Sequence, residues 1–287
     1  MMTMITSTAG SYDLALQRSH GTAMIRFDVQ EGRSALVQRY SSAPMRILAP
    51  RPTKGVPEAV LANLAGGIAG GDRCEIGVAA GPGAKAVVST QAAEKVYRAI
   101  DAPAEWMTRL TLAPGAALEW MPQETILFDG ARLKRRTEVD LADDAQFLAV
   151  ETLVFGRAAH GERIVNCDLA ERWKIDRNGR PVWRDVLRIK DGAFESAIMA
   201  GAGLRGSSVS ATLIYIAPDA PEHLDEIRML LSNVSAFSGA STVRGLVAAR
   251  FLAPEAGKFK RELTELLGRF RAMVFGRPAL PPRVWLC

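Results

Sequence analysis

Short runs of alternating or continuous apolar residues, each cut off by Gly or Pro, recur from Ala23 to Ile189, and no other feature limits the fold as strongly. AMIRFDV puts Ile25, Phe27 and Val29 on one face of an extended strand. SALVQRY, EAVLANLA, RCEIGVAA, AKAVVST, MTRLTLA, LEWM, KRRTEVDL and FLAVETLVF follow at intervals of roughly 8 to 14 residues, the spacing of strands in a mainly β fold. GPGAK and APGAA supply turns between them.

Between Leu169 and Ile189 the pair Asn178-Gly179 separates two runs carrying Trp173 and Trp183. Both residues of the pair tolerate positive φ, so the segment predicts a hairpin closed by a type I′ turn. Helical periodicity appears only late. In APEHLDEIRMLLSN, Pro221 stands near a helix start, acids fill the first turns, and Leu224, Ile227, Leu230 and Leu231 share a face. In PEAGKFKRELTELLGRFRAMVFGRP, Phe259, Leu263, Leu266, Leu267, Phe270, Met273 and Val274 repeat by three and four, with Gly276 at the end and Pro278 beyond. STVRGLVAARFLA, between the two, reads as one buried strand. Strands followed by helix, strand and helix disfavour a doubly wound parallel sheet. No internal repeat or low-complexity linker stands out, which predicts one domain over residues 1–287, with residues 1–20 a poorly ordered leader.

A hydrophobic content of 48% and a charged content of 23% are those of a soluble globular protein, and no segment approaches the ~20 apolar residues of a membrane span. The start MMTMITSTAGSYDLALQ lacks the basic, apolar and small-residue parts of a secretory signal, which predicts the cytoplasm. The net charge of +5 is uneven: from Arg244 to Cys287 nine Lys/Arg stand against three Asp/Glu, a local +6 that leaves −1 for the rest. Such a tail could meet nucleic acid or an acidic protein surface, but it has no aromatic-interleaved basic run. Cys74, Cys167 and Cys287 are far apart and in no CxxC spacing, so they form neither a disulfide framework nor a zinc module.

The chemical motifs are mostly negative. Gly66-Gly67-Ile68-Ala69-Gly70-Gly71 has neither the spacing of a dinucleotide fingerprint nor a helix after it. Asp72 stands where a P-loop places its lysine, so the loop offers negative charge where phosphate needs positive. The glycines suit a tight turn or bulge between strands that aims Asp72, either as a cap or toward a cavity. His20, His160 and His223 lie in unrelated settings, no serine has a GxSxG elbow, and neither Cys167-Asp168 nor His160 with Glu162 has metal-site spacing. Polar residues recur instead in compact clusters: Gln91, Glu94, Lys95, Tyr97 and Arg98; Gln123 and Glu124; Glu151, Arg157, Glu162 and Arg163. They read either as a solvated rim of ion pairs or as a buried network in which each charge needs a partner.

These clusters carry a resemblance. GGIAGGD, TQAAEKVYRA, PQETILF, the segment from Glu151 through FGRAAHGE, and the closing PPRVW are similar, in that order, to the urease accessory proteins of the UreD type, called UreH in some bacteria. The resemblance runs from about Gly21 to Trp285 and departs from the family pattern near the start, where SSAPMRILAPRP replaces a Gly-Pro-Leu-type motif. It implies a mainly β, stacked-strand, β-helix-like architecture with about two C-terminal α-helices. It also implies a non-enzymatic chaperone that binds apo-urease and the F-type accessory protein, which recruits the G-type GTPase. In that role Ni²⁺ would pass from the GTPase to the urease active site through an internal water-filled tunnel, while the complex supports carbamylation of the active-site lysine. GTP hydrolysis would belong to the partner, and no cofactor would be tightly held.

By motif position the resemblance makes Asp72 and Glu151, then Glu162 and Glu124, candidates for the nickel path, and hard oxygen donors such as these hold a divalent cation weakly enough to release it. Gly66, Gly67, Gly70, Gly71, Gln91, Lys95, Tyr97, Arg98, Gln123, Gly156 and Arg157 become framework or tunnel-wall candidates. Two other classes stay open at this point: a nucleotide-binding enzyme using residues 66–72, and a nucleic-acid binder using the basic C-terminal segment.

Overall fold

The computed structural model describes residues 18–51, 55–157, 161, 162, 164–190, 192–201 and 203–286. His160, Arg163, Cys287 and the MTMIT start lie outside the described residues. The chain opens with a hairpin of β1 (His20–Gln30) and β2 (Arg33–Ser42), followed by β3 (Met45–Leu48). Four coils follow. The first is β4 (Glu58–Asn63) and β5 (Arg73–Ala80); the second β6 (Lys85–Thr90), β7 (Glu94–Val96) and β8 (Ala104–Leu112). The third is β9 (Ala117–Met121), β10 (Thr125–Leu127) and β11 (Ala131–Leu141); the fourth β12 (Gln146–Phe155) and β13 (Cys167–Arg177).

Each coil gives one strand to each of two long sheets. Sheet A has the order β14-β13-β11-β8-β5-β1-β2, where β14 (Arg180–Ile189) turns back on β13. Sheet B runs β16-β17-β15-β12-β9-β6-β4-β3, with β15 (Val209–Ile216), β16 (Phe237–Val243) and β17 (Leu246–Ala253) closing its far end. Inside the coils the pairing is parallel, and the antiparallel hairpins sit at the ends. A short third ladder completes each turn: Ile68 bridges Val96, Val96 pairs with Leu127, and Leu127 pairs with Phe155, all in parallel and all buried. This is the mainly β, stacked-strand architecture that the resemblance implies.

Alternation explains the layers. Ile76, Val78, Leu110, Val139, Phe147 and Ala149 point between the sheets, while Leu148, Val150, Tyr215, Val247 and Phe251 face outward from sheet B. That outer apolar face needs a cover, and α3 (Ala256–Phe275) supplies it with Phe259, Leu263, Leu266, Leu267 and Phe270. Glu255 caps α3 by accepting from the backbone of Gly257 and Lys258 at 2.6 Å, and Gly276 ends it at φ 61°. The second late helix is α2 (Leu224–Leu231), preceded by a 3₁₀ turn over Ala220–His223, and a short α1 (Phe194–Met199) precedes β15.

Three sequence expectations change here. STVRGLVAARFLA is not one buried strand: Arg244 and Gly245 take φ 48° and 80°, and β16 and β17 pair antiparallel across that turn. Asn178 and Gly179, at φ 49° and 72°, close the β13–β14 hairpin as expected. The chain does repeat, coil by coil, but the coils differ in length and in loop sequence, so no fixed period marks them. Of the expected leader, Ser19 and His20 already belong to the fold: Ser19 N–H donates to Asp72 at 2.8 Å and His20 begins β1.

Part of the basic tail is turned inward, through Arg271 and Arg277, while Arg244, Arg250, Lys258, Arg261, Arg269 and Arg283 stay exposed. Glu119 on β9 is fully buried, accepts from Arg271 Nε, and also pairs with Arg277 Nε at 3.0 Å. Arg250 pairs with Asp185, Lys258 with Glu262 and Lys260 with Glu124. A buried ion pair is costly to break because the remaining charge keeps its desolvation penalty. Arg271→Ala is expected to destabilise the fold by about 3–5 kcal/mol and to lower Tm by about 5–8 °C in a thermal melt. Replacing both partners, Glu119→Leu with Arg271→Met, should recover part of that loss.

Candidate functional site

The third ladder gathers the motif segments at one edge of the solenoid. Gly67 sits so close to the Tyr97 ring that a Cβ would lie 2.4 Å from it, and Gly70 packs equally tightly on Ala99. Tyr97 donates its hydroxyl to Gly66 O at 2.9 Å and meets Phe128 edge-on at 5.2 Å. Arg157, following Gly156 at φ 84°, lies 4.1 Å over the Phe128 ring and pairs with Glu162 at 2.8 Å. Asp129 accepts from the backbone of Val165 and Asn166, which holds its carboxyl below the usual range, and Arg98 pairs with it. Motifs some 30 residues apart in sequence therefore touch because each is the same corner of successive coils. Gln91 and Lys95 are exposed on this edge, with Gln91 N–H donating to Leu61 O at 2.7 Å.

The four candidate carboxylates separate. Asp72 caps the glycine turn, its two oxygens accepting from Ser19 N–H and Ala69 N–H at 2.8 Å each. It thus occupies loop amides that a phosphate would need, which is the physical case against a nucleotide cradle. Glu124 pairs with Lys260 at 3.2 Å and lines a cavity of about 90 Å³ beneath α3. Glu162, paired with Arg157, is held below the usual carboxylate range by that hydrogen bond. Gln123 is buried, takes Thr90 Oγ1 as acceptor for its backbone N–H at 2.8 Å, and donates its side-chain amide to Val284 O.

Glu151 alone of the four lies in the lumen between the sheets. Its Oε1 is 3.2 Å from Arg135 Nη1, and its Oε2 accepts from Trp173 Nε1 at 2.6 Å. Arg135 also donates to Thr125 Oγ1 and to Glu171 Oε1 at 2.8 Å each. Burial pushes Glu151 well above the usual carboxylate range, Arg135 opposing and Glu171 adding to the rise. Burial acts on Glu171 too, but Arg135 overrides it and holds Glu171 low. The two carboxyls share the one guanidinium, so their ionisation is linked and each needs Arg135 to offset its burial.

Two cavities of about 30 Å³ meet at Glu151. One is lined by Glu94, Gln123, Thr125, Arg135 and both Trp106 and Trp120. The other is lined by Glu171, Trp173, Asp185 and Arg250, and it leads to the end of the solenoid, where Arg250 is about half exposed. Trp120 Nε1, Gln123 Oε1 and Arg135 Nε are buried without protein partners around the first cavity. A space of this size holds a water or two, and such atoms are what ordered water satisfies. Among the described residues no three His, Cys, Asp or Glu side chains group to hold a metal ion, and no helix is long and apolar enough to cross a membrane.

Sequence reasoning missed Arg135, Glu171 and Glu94 as lumenal groups. For two of them a signal existed: Arg135 shares strand parity with Leu133, Val139 and Leu141, and Glu171 with Leu169, Trp173 and Ile175. Glu94 is raised to about 7, mainly by burial, although Asn63 donates to it at 3.1 Å. A carboxyl raised in the folded state stabilises below its unfolded value near 4.5 and loses that contribution as pH climbs to about 7. Glu94→Gln is therefore expected to abolish this loss, leaving the variant more stable than the parent by about 1–3 kcal/mol at pH 8 and not at pH 4. Urea denaturation at the two pH values checks it; an equal difference at both would remove Glu94 as the source.

The chain matches the family described as UreD urease accessory protein over residues 19–286. It is 41% identical over 280 residues to the urease accessory protein UreD of Xanthobacter autotrophicus, covering 97% of this chain and 94% of that one. It is 40% identical over 269 residues to UreD of Azorhizobium caulinodans, covering 94% and 97%, and 36% identical over 275 residues to UreD of Magnetococcus marinus, covering 94% of each. A match of this extent, with relatives at this identity across nearly their whole length, means that the chain belongs to the UreD urease accessory protein family.

Proposed function

We propose that this chain is a cytoplasmic, non-catalytic chaperone of urease maturation that conducts Ni²⁺ through its lumen to apo-urease. It would do so in a complex with the F-type accessory protein and, through it, the G-type GTPase. The observation that carries the reading is the pair of small cavities between the sheets that meet at Glu151 and hold charged and polar side chains in their walls. The path runs from Glu94 past Gln123 and Thr125 to Glu151 and Glu171, and on toward Asp185. Asp72, Glu124 and Glu162 support it from outside, at a turn, an ion pair and a corner.

The chemistry fits a transient cargo. Oxygen donors hold Ni²⁺ less tightly than imidazole or thiolate, and burial pushes the Cys74 thiol up to about 12, away from the thiolate a metal needs. Burial raises Glu151, so its carboxylate gains from the charge of a passing divalent cation without forming a lasting site. Arg135 repels the cation and keeps its stay short.

Co-expression with apo-urease and the F- and G-type proteins tests the path. Glu151→Ala is expected to lower urease nickel content about tenfold at limiting nickel, the effect of losing one charge contact of ~1.4 kcal/mol, while co-purification of the complex is unchanged. Unchanged nickel content would remove Glu151 from the path, and deletion of the whole chain without effect on urease would remove the function.

A further inference from the structure

The outer surface of sheet A, turned away from the lumen, carries a groove of about 620 Å³. Alternation puts Lys134 and Arg136 of β11 and Arg172 of β13 on this face, opposite in parity to Arg135 and Glu171. Pairing sets Arg136 directly beside Arg172, with Met107 on its other side, and sets Lys134 between Glu105 of β8 and Ala170, which in turn neighbours Arg188. Adjacent strands lie about 4.8 Å apart, so like charges stand next to each other where folding alone favours opposite ones. Glu138 relieves Arg136 and Asp168 relieves Arg188. Lys134 and Arg172 form no ion pair among the described residues.

We propose that this groove docks an extended acidic segment of a protein partner, with Asp or Glu at alternate positions. Residues two apart on an extended chain repeat at about 6.6–6.8 Å, the spacing of Lys134 and Arg136 along β11, so successive carboxylates fall over successive cations. Met107 and Ala170 lie between the charges and receive the carboxylates' aliphatic stems. Nucleic acid fits less well. Trp106, half-buried and bonded through Nε1 to Thr108 at 3.2 Å, offers no ring for stacking bases. The groove and the lumen are on opposite sides of sheet A, so this docking stands or falls separately from the nickel path.

The test titrates full-length protein into a fluorescein-labelled decapeptide of alternating Glu and Ser, read by anisotropy at low salt. Saturable binding is expected, about tenfold weaker for the double variant Lys134→Glu/Arg172→Glu, while Arg33→Glu/Arg39→Glu on β2, an equal charge change elsewhere, binds as the parent does. A melt of the groove variant should show little change in Tm, because Arg172→Glu relieves Arg136 while Lys134→Glu faces Glu105 across the strands; should it unfold, Lys134→Gln/Arg172→Gln carries the same comparison. The proposal is overturned if the peptide does not bind, if the β2 variant loses as much affinity, or if a single-stranded oligonucleotide displaces the peptide more strongly than unlabelled peptide does.

Discussion

The Arg135 guanidinium is the point at which the three faces of the solenoid are tied together. It projects from β11 of sheet A, meets Glu151 of sheet B, and donates to Thr125 on the third ladder. A stack of parallel strands buries apolar surface without strongly fixing how its faces are set against one another, since dispersion contacts are numerous and weakly directional. A buried cation is different: it tolerates only an arrangement in which its donors are met. One such group in the lumen therefore sets the relation of all three faces.

The same group decides what the lumen can be. An interior filled with Val, Ile and Ala, as it is between Ile76, Val139 and Ala149, leaves no space for water. Around Arg135 the lining changes to Thr, Gln, Trp and Glu, and unpartnered polar atoms face small cavities. The polar stretch lies beside the third ladder, whose buried Ile68, Val96, Leu127 and Phe155 hold the coils in register there. The tight glycine corner is then part of the wall: Gly67 allows Tyr97 to close the edge, and Asn63 links that corner to Glu94. The motifs that look chemical in sequence are largely the masonry of this edge, and the carboxylates that matter inside sit on the strands it aligns.

Much of the fold is legible in the sequence, for reasons visible in particular residues. The alternation in AMIRFDV, the Asn178-Gly179 turn and the stripe from Phe259 to Phe270 each encode a local geometry that the tertiary structure keeps. Arg244-Gly245 was the local signal overlooked: it is a hairpin turn of the same left-handed kind, hidden inside a run apolar enough to pass for one strand. The site was less legible. Asp72 and Glu151 are equally plausible carboxylates on paper, but two backbone N–H groups claim the first and a buried guanidinium and an indole claim the second.

Sequence alone determined which residues form strands, where the chain turns, and that the ordered motifs are those of UreD proteins, because periodicity, turn chemistry and motif order are properties of neighbours along the chain. Tertiary structure alone decided that four separate motifs share one edge, that Arg271 and Arg277 of the basic tail fold onto Glu119, and that Glu151, Arg135 and Glu171 form a single group. Those facts depend on which coil stacks on which, and residues far apart in sequence acquire their protonation and their partners only when burial removes water from around them.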